Sequence, residues 1–378
     1  MRCSPIWAFL LSGVASAGTL ETNEAWRISG EDDRFLFGVV SRAVADPSGN
    51  VYLLDSQLGE VTVLAPDGSF LRRIGGEGDG PGELRRPADL FLFDDADVGV
   101  VVLSPPKIVR YDASGAHVGD RSPTRDGRPL RVLNADAAAG RLVAFSIQSR
   151  FDTGQRTTSY TLGRIGEDGR AARPILEGGY TLSYEELHID EGEHDLPVAR
   201  WALAPNGAVH VAPERNAYHV VTFTADGART QDWSRPHEAR VRSDEEKAAA
   251  EATLRQMYRH ERYQRATFSV EEAEPAILSL RLSDVGELWI LPGSGLGAGD
   301  AFHRYDVSSV QGAEMGRLDL RLEGDPGADA VHWLSDERIV VVEALTDADR
   351  AMGGASSASD EAELRLPDIV CYDVTRTE

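Results

Sequence analysis

Two histidines and several carboxylates occur together in one short stretch, His188 to Asp195, which reads His-Ile-Asp-Glu-Gly-Glu-His-Asp. Imidazole and carboxylate groups are common metal ligands, and a folded loop could bring His188, Asp190 and His194 onto one ion. The spacing differs from the His-Glu-x-x-His helix and from the calcium-binding loop. A solvated acidic loop is the simpler interpretation. We therefore expect no cofactor, with calcium or another divalent cation as the alternative.

Other chemical motifs give weaker signals. The glycine runs at 75–82 and 293–299 match neither the Walker loop nor Gly-x-Gly-x-x-Gly, so they do not indicate a nucleotide site. The chain has no Gly-x-Ser-x-Gly elbow, which a serine hydrolase of that type needs. Cys371 falls in an apolar run that predicts a strand, and there it behaves as a small hydrophobic residue rather than as a nucleophile.

The elements that must position these residues follow a repeat, which is clearest from Arg42 to Asp89. Four short β-rich runs are separated there by Asp-Pro-Ser-Gly, Asp-Ser-Gln-Leu-Gly and Pro-Asp-Gly, a pattern that predicts a four-stranded antiparallel meander. One meander cannot bury both of its faces, so copies must be arranged around an axis. The predicted copies, or blades, lie at about residues 41–75, 87–119, 130–169, 199–227, 275–307 and 331–374.

The two ends of the chain complement each other. The sixth copy lacks its outermost strand, whereas Glu24 to Ser29 predicts a lone strand near the amino end. If that segment completes the sixth copy, the ring closes and two exposed sheet edges disappear. The predicted fold is therefore an all-β, six-bladed β-propeller closed by an N-terminal strand.

Three segments resemble the NHL-repeat class of six-bladed β-propellers, especially its exported bacterial members. They are Gly49-Asn-Val-Tyr-Leu-Leu-Asp55, Val63-Leu-Ala-Pro-Asp-Gly-Ser-Phe-Leu-Arg72, and Gly80-Pro-Gly-Glu83 followed by Pro87. The match is good in the first blade and faded in the others. The resemblance implies a fold over the whole mature chain, but these motifs do not specify any chemistry.

One segment departs from the repeat between blades four and five. Ser243-Asp-Glu-Glu opens a helix with a capping box, and basic residues crowd its end, as the helix dipole favours. We predict a helical insertion at about 240–266. It could be packed on the rim of the disc, or it could form a lid over the central opening.

The first 17 residues are typical of a signal peptide. Arg2 supplies the positive charge, Ile6 to Ala15 the short apolar core, and Ala15-Ser16-Ala17 the small-residue cleavage site. No later run is long and apolar enough to span a bilayer. We expect a secreted or periplasmic, soluble protein with one propeller domain at 18–378.

The net charge of −23 argues against a nucleic-acid partner, because such a partner needs a basic surface. It allows protein, peptide or glycan ligands. We expect a monomer whose stability comes from packing, since the mature chain keeps a single cysteine.

The predicted loops differ in length between the two faces of the disc. The turns that join strands one and two, or strands three and four, of each blade are short. The long segments collect on the opposite face, which we call the long-loop face. They are 75–86, 120–129, 148–157, 178–197, 235–274, 292–301 and 347–363. Long loops on one face of a rigid scaffold mark a binding surface.

Residues at the starts of the innermost strands should line one end of the central channel. They are Arg42, Asp89, Arg131, Arg200 and His332. Three arginines near an axis would bind a carboxylate or phosphate, although pairing with acids such as Asp89 would make them purely structural. A shift of one residue in strand register would move these side chains from the channel into the core.

Two functions are consistent with these patterns. The first is an exported, non-catalytic binding scaffold that recognises a protein, peptide or glycan through the long-loop face. The alternative is a metal-dependent propeller enzyme, a lyase or lactonase-type hydrolase, with its site in the channel. Arginine-rich channel positions disfavour a divalent cation unless an anionic substrate bridges the charges. Whether the protein is an enzyme is therefore left open, with binding preferred.

Overall fold

The described residues form six four-stranded antiparallel units, the blades, together with two short two-stranded pairings. The computed structural model describes residues 16–30, 35, 37–345 and 367–377. Blade one contains β2 (Val40–Ala45), β3 (Val51–Asp55), β4 (Glu60–Leu64) and β5 (Phe70–Gly75). Blade two contains β6 (Pro87–Leu92), β7 (Val98–Leu103), β8 (Pro106–Tyr111) and β9 (His117–Arg121). A small hairpin, β10 (Thr124–Arg125) and β11 (Arg128–Pro129), follows.

The next three blades keep the same strand order. Blade three contains β12 (Arg131–Ala138), β13 (Arg141–Asp152), β14 (Gln155–Ile165) and β15 (Ala171–Ser183), and β16 (His188–Asp190) follows it. Blade four contains β17 (Trp201–Leu203), β18 (Val209–Val211), β19 (His219–Phe223) and β20 (Arg229–Ser234). After β21 (Thr267–Ser269), blade five contains β22 (Ile277–Leu282), β23 (Leu288–Pro292), β24 (His303–Ser308) and β25 (Glu314–Arg321).

Blade six takes its strands from both ends of the chain. It contains β26 (Ala330–Ser335), β27 (Arg338–Val342), β28 (Ile369–Thr377) and β1 (Ser16–Ile28). β1 pairs antiparallel with β28, and Trp26 lies opposite Cys371. Its first part also pairs in parallel with β25, which joins blades five and six into one sheet. The predicted fold class, an all-β six-bladed propeller, is confirmed.

The core lies between neighbouring blades rather than on the axis. Each of the six junctions buries its own apolar cluster, such as the one between blades one and two that contains Leu54, Val63 and Val100. Both faces of each sheet are therefore covered, which explains why β3 reads as a continuous buried run. The axis is left to the polar side chains of the inner strands.

Blade three is taller than the others. The sequence predicts a loop at 148–157, but β13 and β14 continue as a paired hairpin to Asp152 and Gln155. Most residues at the end of this hairpin are polar. Their composition therefore predicts a loop, although the backbone pairing continues. This hairpin forms a wall beside the rest of the long-loop face.

The insertion after blade four packs against this wall. Helix α1 (Asp244–Met257) begins with the predicted capping box between Ser243 and Glu246. A 3₁₀ turn, Glu261–Tyr263, follows, and Tyr263 packs with Leu182 and Ile189 next to blade three. Neither α1 nor the turn lines the central channel. No helix among the described residues is long and apolar enough to cross a membrane.

A buried lysine holds the glycine loop between blades one and two. Lys107 Nζ donates to Gly80 O at 2.7 Å and pairs with Asp120 at 3.0 Å. The Asp120 carboxylate is partly buried, which opposes ionisation, but its bonds to Lys107 and His117 leave its pKa below the ordinary value. The loop that carries the Gly-Pro-Gly-Glu motif is thus fixed by one cation.

Replacing Lys107 by methionine should destabilise the protein by about 2 kcal/mol, because a partly buried carbonyl and a partly buried carboxylate each lose a charged partner. Hydrogen exchange should rise in residues 76–84, and the melting temperature should fall. Lys247, an ion-paired surface lysine of α1, is the matched control, and Lys247→Met should change stability little. Unchanged exchange in the glycine loop of the Lys107 variant would contradict this role.

Candidate functional site

A cavity of about 460 Å³ lies on the axis of the propeller. All six blades contribute to its lining, from Ala199, just before β17, to Asp284, in the turn after β22. The cavity therefore extends along the inner strands. Its volume is in the range of small-ligand pockets in proteins.

The inner strands position polar side chains on this cavity through a shared irregularity. In β2, β6, β12 and β22 the pairing with the next strand shifts near the start of the strand. The first residues after the shift are Arg42, Asp89, Asn134 and Ser279, and all four line the cavity. A bulge re-aims side chains locally, which is why these devices recur beside functional sites.

An ion pair connects the first two of these residues. Arg42 Nε lies 3.3 Å from Asp89 Oδ1, and the Arg42 side chain is 48% exposed whereas that of Asp89 is 7% exposed. Asp89 also accepts a hydrogen bond of 2.9 Å from Ala135 N in the next blade. Burial raises the pKa of Asp89, opposed by the Arg42 charge and by the backbone donor. Arg42 thus keeps part of its guanidinium free for a ligand.

Burial also changes the protonation of further titratable groups in the lining, Asp136 and His332 among them. Burial raises the pKa of Asp136 to about 6, although the Ala137 amide and Arg42 favour its charged form. Burial and the nearby Arg42 charge lower the pKa of His332 to about 3, so the imidazole is neutral near pH 7. Its Nε2 is buried without a hydrogen-bond partner.

An arginine in contact with two indole rings borders the cavity between blades five and six. The guanidinium of Arg281 lies 4.4 Å from the Trp289 ring and 4.5 Å from the Trp333 ring. It donates to Asp336 at 2.7 Å. Tyr305 accepts a bond from Trp333 Nε1 at 3.1 Å. These contacts fix the wall of the cavity rigidly.

The structure brings three of the five predicted mouth residues together. Arg42, Asp89 and His332 line the cavity, while Arg131 and Arg200 are outside its lining. Arg131 is exposed at the start of β12, before the register shift, so Asn134 takes the channel position of that blade. Burial and the neighbouring Arg86 charge lower the pKa of Arg131. Arg200 is buried and paired with Asp195.

The stretch with metal-ligand residue types has a different environment. His188 is held by Thr267 and Ser269, and Ser269 also donates to Asp190 at 2.6 Å. His194 lies against the Tyr180 and Tyr258 rings. Across the described part of the chain, no three His, Cys, Asp or Glu residues are grouped so as to share a metal ion.

Most of the lining was not anticipated from the sequence, including Asn134, Asp136, Arg281 and Trp333. A signal exists for the three polar residues among these four, since each interrupts the apolar pattern of an inner strand. Alternation in Asn134-Ala-Asp136 and in Leu280-Arg-Leu places the polar groups on one side of the strand. The sequence does not reveal which side faces the axis.

Comparisons with known proteins agree on the fold. A family model described as a 6-bladed beta-propeller matches residues 31–162. No curated protein is similar enough in sequence to be counted as a relative.

Several solved structures have similar folds at low sequence identity. A predicted exported protein from Bacteroides fragilis is 11% identical, with 95% of this chain and 96% of that chain covered and a TM-score of 0.51. Virginiamycin B lyase from Staphylococcus aureus is 11% identical, with coverages of 85% and 84% and a TM-score of 0.41. The calcium-binding protein regucalcin from Agrobacterium tumefaciens is 10% identical, with coverages of 96% and 97% and a TM-score of 0.41. At such identities only the fold is shared.

Proposed function

We propose that this protein is an exported, non-catalytic binding scaffold of the NHL-repeat type. It recognises a protein, peptide or glycan through the long-loop face, acts as a monomer, and takes part of its ligand into the central channel. The observation that supports this function is the axial cavity, whose lining combines the half-exposed Arg42 and other polar groups with aliphatic and aromatic side chains. A concave pocket with convergent polar groups is the usual form of a ligand site.

Export is supported by the amino-terminal sequence. Residues 1–15 of the predicted signal peptide lie outside the described residues. Cleavage before Gly18 would remove Ser16 and Ala17, which pair with β25, and would keep the residues from Thr19 to Ile28 that pair with β28. The closing strand is therefore compatible with removal of the leader. The Bacteroides fragilis protein with a similar fold is also predicted to be exported.

The second candidate function is the metal-dependent propeller enzyme, a lyase or lactonase-type hydrolase. It is favoured by one observation, that Asp89, Asp136 and His332 line the same cavity. The charge of Arg42 acts on all three, and a divalent cation beside a guanidinium is electrostatically unfavourable without a bridging anion. A stoichiometric metal in the purified protein, with a large rise in melting temperature on adding calcium, would favour the enzyme.

Binding through the channel predicts a specific pattern among variants. Arg42→Gln removes the half-free guanidinium and Ser279→Phe fills the cavity, so each should reduce the ligand captured from the exported fraction about tenfold. Arg73, on the outer strand of blade one, is the matched control. Its side chain is 44% exposed and forms an ion pair with Glu60. Arg73→Gln should capture as much ligand as the wild type.

Capture is measured by mass spectrometry of the material eluted from immobilised protein, after circular dichroism has shown that each variant is folded. Equal capture by Arg42→Gln, Ser279→Phe and the wild type would place the ligand elsewhere and contradict the proposal. Turnover of a lactone that depends on added metal would replace it with the enzyme.

A further inference from the structure

We propose that the ligand is an acidic peptide, and that its carboxylates bind Arg86 and Arg131 beside the channel. This inference rests on the proposed function, because it names the ligand class of the same face. We call the starting ends of β2, β6 and β12 the channel mouth.

Three arginines lie at or next to the starts of the strands that form the channel mouth. Arg86 directly precedes β6, Arg131 is the first residue of β12, and Arg42 lies near the start of β2. These three strands are neighbours around the axis, with β6 between β2 and β12. The three residues therefore belong to one side of the opening.

Arg86 and Arg131 are a like-charged pair without an acidic partner. No other group within residues 16–30, 37–345 and 367–377 forms a hydrogen bond or ion pair with either guanidinium. Such a pair is unexpected in a chain with 62 acidic and 39 basic residues. Neighbouring like charges are unfavourable, and an anion bound between them removes that cost. Carboxylates suit this site because arginine binds them through two parallel hydrogen bonds.

Arg86 is also held in an unusual backbone conformation. Its φ of 55° lies in the left-handed region, which residues other than glycine rarely adopt. Its carbonyl accepts a bond of 3.2 Å from Leu103 N, and Pro87 follows it. The backbone of Arg86 is thus fixed, while its side chain is exposed.

The cavity walls favour a peptide over a sugar. A sugar ring packs against a free aromatic face, but Trp201 and Tyr305 are buried and Arg281 covers a face of Trp333. Small aliphatic residues such as Ala199, Ala202 and Val331 occupy much of the remaining wall. They suit an aliphatic peptide side chain, while the acidic groups stay at the channel mouth.

Selection from a random octapeptide library on immobilised full-length protein tests this. The wild type should enrich peptides with two or more Asp or Glu residues. The double variant Arg86→Gln, Arg131→Gln should bind the enriched peptides about fivefold to thirtyfold more weakly, as expected for two exposed charge pairs. Arg173→Gln is the control, since Arg173 is an exposed arginine of β15 without an ion pair among the described residues. It should bind like the wild type.

Salt dependence provides a second readout that a structural role would not change. Raising sodium chloride from about 50 to 500 mM should weaken peptide binding by the wild type more than by the double variant. Enrichment of neutral or basic peptides would overturn the acidic class while leaving the scaffold intact. Enrichment of no peptide, or of acidic oligosaccharides on a glycan array, would overturn the peptide ligand. If Arg173→Gln weakened peptide binding as much as the double variant does, the loss would be a general charge effect. That result would also overturn the proposed role of Arg86 and Arg131.

Discussion

Replacing Glu191 by glutamine should lower the melting temperature by about 4 to 7 °C, which corresponds to about 3 to 5 kcal/mol for a chain of this size. The change removes the carboxylate charge paired with the buried Arg215 and one of the two carboxylate charges paired with the buried Arg242, which keeps Glu274. Differential scanning calorimetry measures it directly.

Glu191 is at the centre of a charged network that is largely out of water. It accepts bonds from Arg215 at 3.0 Å and from Arg242 at 2.6 and 2.9 Å. The two arginine side chains are 5% and 7% exposed. Burial opposes the charge of Glu191, but the bonds from Arg242 and from Glu271 N leave its pKa below the ordinary value. The network attaches the segment after blade three to the helical insertion and to blade four.

A surface ion pair of the same chemistry is the control. Glu251 and Arg255 form an i,i+4 pair on α1 at 2.6 Å, with both side chains exposed. Glu251→Gln should cost only about 0.5 kcal/mol. If the two substitutions lowered the melting temperature equally, the buried network would not be the anchor of the insertion.

Lowering the pH from 7.5 to 5.0 should reduce the free energy of unfolding by about 4 to 5 kcal/mol through four buried groups. Burial lowers the pKa of His210 and of His303 to about 4, and burial with the Arg42 charge lowers that of His332 to about 3. Urea unfolding at the two pH values measures the difference.

The sign follows from which state binds the proton. In the unfolded chain these histidines titrate near pH 6.5, so their stabilising contribution is complete above that value and falls as the pH drops toward the folded pKa. The contribution of each histidine to the free energy of unfolding falls by about 2 kcal/mol at pH 5.0. Asp136 acts in the opposite direction, because its raised pKa of about 6 makes the folded state bind a proton first. Protonation of Asp136 in the folded state therefore offsets about 1.4 kcal/mol of the loss in unfolding free energy.

Single variants separate the contributions. His303→Gln should reduce the loss between pH 7.5 and 5.0 by about 2 kcal/mol. His237→Gln, at an exposed position, should leave the loss unchanged. A pH dependence that survives replacement of His210, His303 and His332 together would assign the effect to other groups.

The strand order was predictable because local signals carry it. Turn residues such as Asp46 and Gly49, and apolar runs such as Val51–Asp55, recur at a period that only a ring of blades can bury. The capping box at Ser243 is equally local, and α1 begins there. Helix α1 is outside the cavity lining, and the segment that follows it packs against blade three, where Tyr263 meets Leu182 and Ile189.

The site was predictable only in part, because small register shifts decide it. Arg131 was expected at the axis, but the shift between Val132 and Asn134 exchanges it for Asn134. Arg200 was expected at the mouth, but Asp195 pairs with it in the interior. The acidic stretch expected to coordinate a metal, or to be solvated, supplies Asp195 and Glu191 to buried arginines instead.

Local sequence patterns were enough to predict the repeat, the positions of the turns and an unpaired strand near the amino end, since each depends on residues close together in the chain. Which charged groups share the axial cavity, and which neutralise one another in the interior, is visible only in the folded protein. Those outcomes depend on bulges and on partners up to hundreds of residues apart, and no local pattern encodes such distances.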